Sequence, residues 1–204
     1  MEFQDVVRKR RMVRHFSPDP IPVSTVKRII ATAQRAPSAG FSQGVSFVVV
    51  TDETLRQQVG VACSEETYVE AGYDPFISEA PVQIIVCTNE QIYHARYNES
   101  DKKPEGQEEI AWPVPYWHTD AGCALMLVLL AAVDEGLGSA FVGAPDPTAL
   151  QRVLGIPDEV IPIGVAMIGH AAPDKKSPSL KRGRRKVEDV MHLNGWQAQD
   201  TVSS

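Results

Sequence analysis

This 204-residue chain lacks most of the short signatures that identify a chemistry at once. It has only three cysteines, Cys63, Cys87 and Cys123, widely spaced and without a Cys-x-x-Cys pair, which excludes a disulfide framework and a zinc ribbon. Reduced thiols in largely apolar surroundings are the expectation. The five histidines, His15, His94, His118, His170 and His192, show no metal-ligand spacing. No G-x-G-x-x-G follows a strand-like run, no G-x-x-x-x-G-K-[ST] is present and no G-x-S-x-G elbow occurs. The usual dinucleotide fold, a P-loop and a serine hydrolase therefore have no support. There are no internal repeats. Early charges at Glu2, Asp5 and Lys9 to Arg11 interrupt any secretory apolar stretch. The longest apolar run, Ala121 to Val133, falls short of the about 20 residues a bilayer span needs. A cytoplasmic protein that neither enters a membrane nor carries a leader is the expectation. Positive charge is also in deficit, with 20 Lys and Arg against 26 Asp and Glu. A general polyanion binder is disfavoured, and basic clusters must be judged locally.

What is present reads as one domain over 1–204, with alternating helical and strand patterns. Phe3, Val6 and Val7 have helical spacing and deliver Arg10 to Arg14 at the end of a short helix. Val26, Ile29, Ile30 and Ala33 recur at i, i+3, i+4 and i+7, predicting a helix over Ser24 to Arg35. Val45 to Thr51 and Val82 to Thr88 read as buried strands, with Asp52 as the cap of a helix carrying Leu55 and Val59. Residues 89–115 are polar, contain Pro and lack clear periodicity, the pattern of a lid-like insertion or of a disordered excursion. Tyr116 to Glu135 is helical and apolar almost all round, so a helix there needs cover on every side, and a partner subunit would supply it. Gly136 suits a C-terminal cap, Gly138 to Gly143 a strand, Asp146-Pro147 a capped helix start, Gly155 its end, and Val160 to Gly169 a last strand. The segment from Pro173 through the C-terminus reads as an extended basic arm. The fold class expected is α+β, with a mixed central sheet flanked by helices.

Two segments carry the most chemistry. Arg10-Arg11-Met12-Val13-Arg14 places three guanidinium groups within five residues, and such rigid donor forks suit a phosphate dianion. Ala36-Pro37-Ser38-Ala39-Gly40-Phe41-Ser42-Gln43 is a run of small and polar residues whose backbone can approach a flat ligand closely. A solvated cationic cap at a helix C-terminus is the alternative for the arginines. No acid–base pair or activated nucleophile can be read elsewhere; Glu65-Glu66 and Glu108-Glu109 sit in polar sequence. That pattern fits an enzyme whose cofactor carries the reaction.

The order Arg-Arg-x-Val-Arg-x-Phe, then Ala-Pro-Ser-Ala-Gly-x-x-Gln before an apolar strand, resembles the FMN-dependent nitroreductase family. So do Asp120 at the head of an apolar helix, Gly136-Leu137-Gly138-Ser139 at its end, Val142-Gly143-Ala144, and the basic Arg184 to His192 segment. The likeness covers residues 3 to 196. It implies an intertwined homodimer with two FMN sites at the interface, and hydride passing from NAD(P)H through the flavin to an electron-poor acceptor such as a nitroaromatic or quinone. Arg10, Arg11 and Arg14, with Met12 in place of the usual Ser, would bind the FMN phosphate and ribitol or the polar edge of its ring. Arg182, Arg184 and Arg185 would return to that phosphate. Pro37, Ser38, Ala39 and Gln43 would meet the flavin of the other subunit, and Val142, Gly143 and Ala144 would pass beneath its ring with a backbone N–H near N5. Phe41 and Gly44-Val45 stand where the family has Asn and Pro-Trp. Phe41, Tyr93, Tyr97 and Trp112 would then shape the acceptor pocket. A flavin or deazaflavin binding module with little turnover is the competing reading; a nucleic-acid binder is disfavoured by the net acidity and the lack of interleaved aromatics.

Overall fold

Strands β2 (Val82–Thr88) and β4 (Ile161–Gly169) read as continuous apolar runs because both of their faces are covered. The computed structural model, which describes residues 1–196, puts them at the centre of a four-stranded sheet ordered β1-β2-β4-β3, with β1 Val45–Val50 and β3 Gly138–Gly143 at the edges. Residues 197–204 of the expected C-terminal arm lie outside the described residues. All three strand pairings are antiparallel, which corrects the expectation of a mixed sheet. The parallel element is one isolated bridge, Met12 to Ser139, that lays the Arg10–Arg14 segment along the free edge of β3.

Period-2 alternation sends successive side chains to two cores. Val82, Ile84, Ala166 and Ile168 meet helix α2 (Val23–Ala33) and the long helix α6 (Tyr116–Asp134). Ile85, Cys87, Val165, Met167, Ala140 and Val142 pack on the opposite face with α3 (Glu53–Ala62) and α7 (Pro147–Leu154). The fold is therefore α+β with helices on both sides of the sheet. Asp52 caps α3 by accepting from the Leu55 N–H at 2.9 Å, and Asp146 caps α7 by accepting from Ala149 at 3.1 Å. Gly136, at φ 80°, ends α6: its N–H reaches the Val133 carbonyl at 3.0 Å, and that of Leu137 reaches Ala132 at 2.8 Å. Substituting a side chain there would force a left-handed conformation that glycine adopts freely.

Two expectations change. β1 is not buried throughout, since with β2 as its one neighbour only Val50 is fully covered and Val49 is exposed. Residues 89–115 are not one irregular excursion: Asn89 accepts from the Gln91 N–H and opens helix α5, Glu90–Tyr97, before an irregular stretch resumes. Among the described residues, α6 is the one helix long and apolar enough to cross a membrane, at 19 residues, yet half of it is buried against the sheet and α2. Its remaining side is not covered by the described residues: Gly122 and Met126 are exposed, and Cys123, Leu127 and Leu130 are half-buried.

The chain divides into two compact units, Met1–Asp174, which holds the sheet and all of the helices above, and a second from Lys175. In the second, short 3-10 turns form at Pro178–Arg182 and Val187–Asp189, and Arg182, Arg184 and Arg185 are exposed; the Arg185 guanidinium donates to the Asp189 carbonyl.

Candidate active site

Extended backbone after α1 (Phe3–Lys9) divides the arginine cluster by alternation. Val13 donates its N–H to the Ser139 carbonyl at 3.1 Å, locking the segment to β3. Arg11 then meets Asp174, its Nη1 2.7 Å from Oδ1, while the other oxygen of that carboxylate accepts the Arg14 N–H at 2.8 Å. The Asp174 side chain is only 7% exposed, so Arg11 is held through one Nη by a well-covered carboxylate, with half of its own side chain left exposed. Arg14 takes the other side. Its guanidinium lies 5.1 Å above the Tyr73 ring and 6.0 Å from the Phe76 ring. Among the described residues neither Arg10 nor Arg14 has a carboxylate partner.

Arg14 leads directly to the strand end singled out in the sequence. Phe76 stacks edge-on with Tyr68 at 5.2 Å, and Tyr68 lines a cleft of about 330 Å³ with Cys63, Ser64, Thr67, Gly143, Ala144 and Pro145. Val142 belongs to the core cluster on this face of the sheet, and Met12 and Ala144 pack against it. Burial, assisted by the Glu65 charge, pushes the Cys63 thiol up to about 12, so the cleft contains no reactive thiolate. The Arg14 guanidinium, the aromatic rings next to it and the close backbone of Gly143–Ala144 offer donors and flat surfaces that suit a phosphorylated planar ligand.

The second segment lies at the same end of the sheet but on the opposite edge, just before β1. Three strand spacings separate the edges, roughly 14 Å, so the turn and the Gly143 cleft are not one pocket within one chain. A 3-10 turn, Ala39–Phe41, carries Gly40, Phe41 and Gln43 at φ of 60°, 58° and 55°. Left-handed backbone at a bulky residue such as Phe41 is strained and persists only when its surroundings impose it. The Ser38 hydroxyl accepts the Gln43 N–H at 2.8 Å, Ser42 donates to the Ala39 carbonyl at 2.6 Å, and Asp120 accepts the Ala39 N–H at 2.8 Å. Pro37, Ser38, Phe41 and Gln43 line a second cleft of about 270 Å³ with Phe47 and Ala124. Phe41 is 74% exposed and stands free for a flat partner.

The expected acceptor-pocket aromatics are partly reassigned. Tyr93 is fully buried and offers no stacking surface; its hydroxyl donates to Asp120 at 2.9 Å, and burial together with that carboxylate holds the phenol protonated far above its usual range. Tyr97 and Trp112 are half-buried and meet edge-to-face at 4.7 Å. Sequence reasoning missed Asp120, Tyr93 and Arg96 as supports. A buried acid at the head of an apolar helix was the available signal for the first, whereas the others needed α5 to be recognised.

A carboxylate latch ties the irregular stretch to α5. Glu109 accepts from Trp112 Nε1 at 2.6 Å and Asn98 Nδ2 at 2.9 Å, and His94 Nδ1 lies 2.6 Å away. The Trp112 bond, then His94, hold Glu109 below the usual 4.5, and Glu109 raises His94 above 6.5. The His94 contribution is complete below 6.5 and fades as pH rises through its raised pKa; the Glu109 contribution is complete above 4.5 and fades as pH falls through its lowered pKa. The latch is thus tightest between those two values. Proton NMR titration of the His94 ring should give an apparent pKa above 6.5, falling back toward that value in Glu109→Gln. An unshifted His94 in the unaltered protein would remove the latch.

Comparison with known proteins gives a consistent picture. The model of the Nitroreductase family matches residues 7–170. The chain is 29% identical over 200 residues to FMN reductase (NAD(P)H) of Bacillus subtilis (strain 168), covering 95% of this chain and 74% of that protein. It is 26% identical over 210 residues to an iodotyrosine deiodinase of Haliscomenobacter hydrossis, covering 94% and 89%. Among solved structures, nitroreductase A from Vibrio parahaemolyticus RIMD 2210633 superposes with a TM-score of 0.74 at 24% identity over 97% of this chain and 77% of that one. Oxidized iodotyrosine deiodinase bound to FMN and 3-iodo-L-tyrosine does so with 0.72 at 23% identity over 95% and 100%. The likeness to these two structures is one of fold.

Proposed function

The chain belongs to the nitroreductase family, and from that premise we propose that it is an FMN-dependent oxidoreductase taking hydride from NAD(P)H and passing it, in a ping-pong cycle, to an electron-poor acceptor. The observation that carries this reading is the pair Arg10 and Arg14, cations without a carboxylate partner among the described residues, with Arg14 joined through Phe76 and Tyr68 to the Gly143–Ala144 cleft. When bound, FMN supplies reversible hydride chemistry that no side chain of this protein offers.

The protein's own part is binding and orientation. Arg10 and Arg14 would hold the phosphate by charge-assisted hydrogen bonds. Val142, Gly143 and Ala144 would lie along the ring, where backbone N–H dipoles favour the negative charge of the reduced state. The 37–43 turn lies too far across the sheet to serve the same site within one protomer, so it would close the site of a partner. A homodimer also accounts for the apolar side of α6 that this chain leaves uncovered. For Arg182, Arg184 and Arg185 the phosphate-binding role is what the family resemblance implies. Phe41 and Tyr97 would face the acceptor, and the presence of deiodinases among the relatives widens the acceptor classes to be tried to halogenated phenols.

Purified protein should be yellow, with about one FMN per chain, and NAD(P)H without oxygen should bleach it. Colour should return on adding p-benzoquinone, p-nitrobenzoate or an iodophenol, and the relative rates rank the acceptors. A bleached flavin that none of these reoxidises would favour a flavin-binding module with little turnover, and a colourless protein that takes up no FMN would exclude the proposal.

A further inference from the structure

The 37–43 turn is held in an unfavourable backbone conformation by side chains of α5 and α6. Phe41 and Gln43 have φ of 58° and 55°. Beneath them, Oδ2 of the buried Asp120 accepts two hydrogen bonds at once, from the Ala39 N–H at 2.8 Å and from the Tyr93 hydroxyl at 2.9 Å. From the other side Arg96 Nε donates to the Gly40 carbonyl at 2.9 Å, with its guanidinium fixed by both oxygens of Asp101 at 2.7 Å. Gly44 explains how Tyr93 reaches Asp120. A Cβ at that position would collide with the Tyr93 ring and crowd the Asn89 carbonyl, which lies 3.1 Å from where it would sit. The departure from the family's Pro at Gly44 and the buried tyrosine of α5 are therefore one structural feature.

We propose that Tyr93 and Asp120, admitted by Gly44, are positioning residues that hold the 37–43 turn in its left-handed form and thereby set how tightly nicotinamide and acceptor dock against it. This inference rests on the FMN oxidoreductase reading. Neither residue lines the cleft in which Phe41 and Gln43 lie; Asp120 acts through the Ala39 amide, and Tyr93 through Asp120 and a hydrogen bond with the Ser38 side chain. Without the Tyr93 hydroxyl, Asp120 keeps one donor fewer to fix its carboxylate, and nothing else on α6 restrains Ala39. The strain at Phe41 and Gln43 then relaxes by swinging Phe41 away from the pocket.

The test compares Tyr93→Phe, Asp120→Asn and Gly44→Ala with the unaltered holoenzyme. Tyr93→Phe keeps the ring and the packing, and should raise KM for NAD(P)H and for p-benzoquinone roughly three- to tenfold, about the worth of one hydrogen bond. FMN content and kcat should stay within about twofold of the unaltered enzyme, since the hydrogen bond acts on docking and not on hydride transfer. Asp120→Asn, whose amide oxygen can still accept both bonds, should rescue most of the effect, whereas Gly44→Ala should reproduce that of Tyr93→Phe. Amide exchange at Ala39 and Gln43, read on flavin-free protein, should quicken in Tyr93→Phe by a similar factor. A merely structural role would lower FMN content and kcat together without separating KM from kcat. Unaltered protein that binds no FMN overturns the functional reading and this inference with it. FMN bound normally, with Ala39 exchange and both KM values unchanged in Tyr93→Phe, overturns this inference alone.

Discussion

Arg14→Ala is expected to weaken FMN binding by about 1.5–3 kcal/mol, the worth of hydrogen bonds to a charged group, or roughly one to two orders of magnitude in Kd. The guanidinium already sits over the Tyr73 and Phe76 rings with no carboxylate partner among the described residues, so its removal takes a cation from the phosphate without leaving one of their acids unpaired. Arg11→Ala is the informative companion. Arg11 is bound to Asp174, whose other oxygen holds the Arg14 backbone. Its loss should lower thermal stability while changing FMN affinity by less than about threefold, since the pair is more than half exposed on the arginine side. Fluorescence titration of FMN into flavin-free protein reads both variants. Equal losses in the two would mean that the extended segment does not sort its arginines as described, and an unaffected Arg14→Ala would end the phosphate assignment.

The second large effect concerns α6. Met126 is 46% exposed on the side of the helix this chain leaves uncovered, whereas Leu129, on the core side, is 5% exposed. Met126→Asp should therefore fold, because the carboxylate remains in water within a protomer, and yet should not dimerise. Burying an unpaired charge at an interface carries a penalty of several kcal/mol. Sedimentation should show a monomer with native circular dichroism and little FMN, because the 37–43 turn can no longer close a partner's site. Leu129→Asp forces the same penalty into the core and should unfold the chain. A Met126→Asp protein that stays dimeric, or an unaltered protein that is monomeric and yellow, would refute the interface.

Several structural choices made within a few residues are legible from sequence. The i, i+3, i+4, i+7 spacing of Val26 to Ala33 produced α2, the acids Asp52 and Asp146 capped the helices they precede, and Gly136 ended α6 as its position implied. The apolar runs of β2 and β4 could be read as buried because both faces of each strand carry apolar residues. α5 was hidden by a polar composition in which the two useful signals, the Asn89 cap and the Tyr93–Tyr97 spacing, were outnumbered by charged neighbours. Tertiary structure alone decided the rest. β1 became an edge because, among the described residues, β2 alone pairs with it. Tyr93 became a buried support, not a stacking surface, because Asp120, 27 residues away in sequence, lies beneath it and Gly44 leaves it room. The arginine cluster was visible as a cluster, but its division into Arg11 on Asp174 and Arg14 over Tyr73 follows from a bridge to Ser139 and a carboxylate 163 residues from Arg11. Local rules depend on dihedral preference and short-range hydrogen bonds, which the sequence carries position by position; which charge is neutralised and which is left free depends on partners that only the folded chain brings within reach.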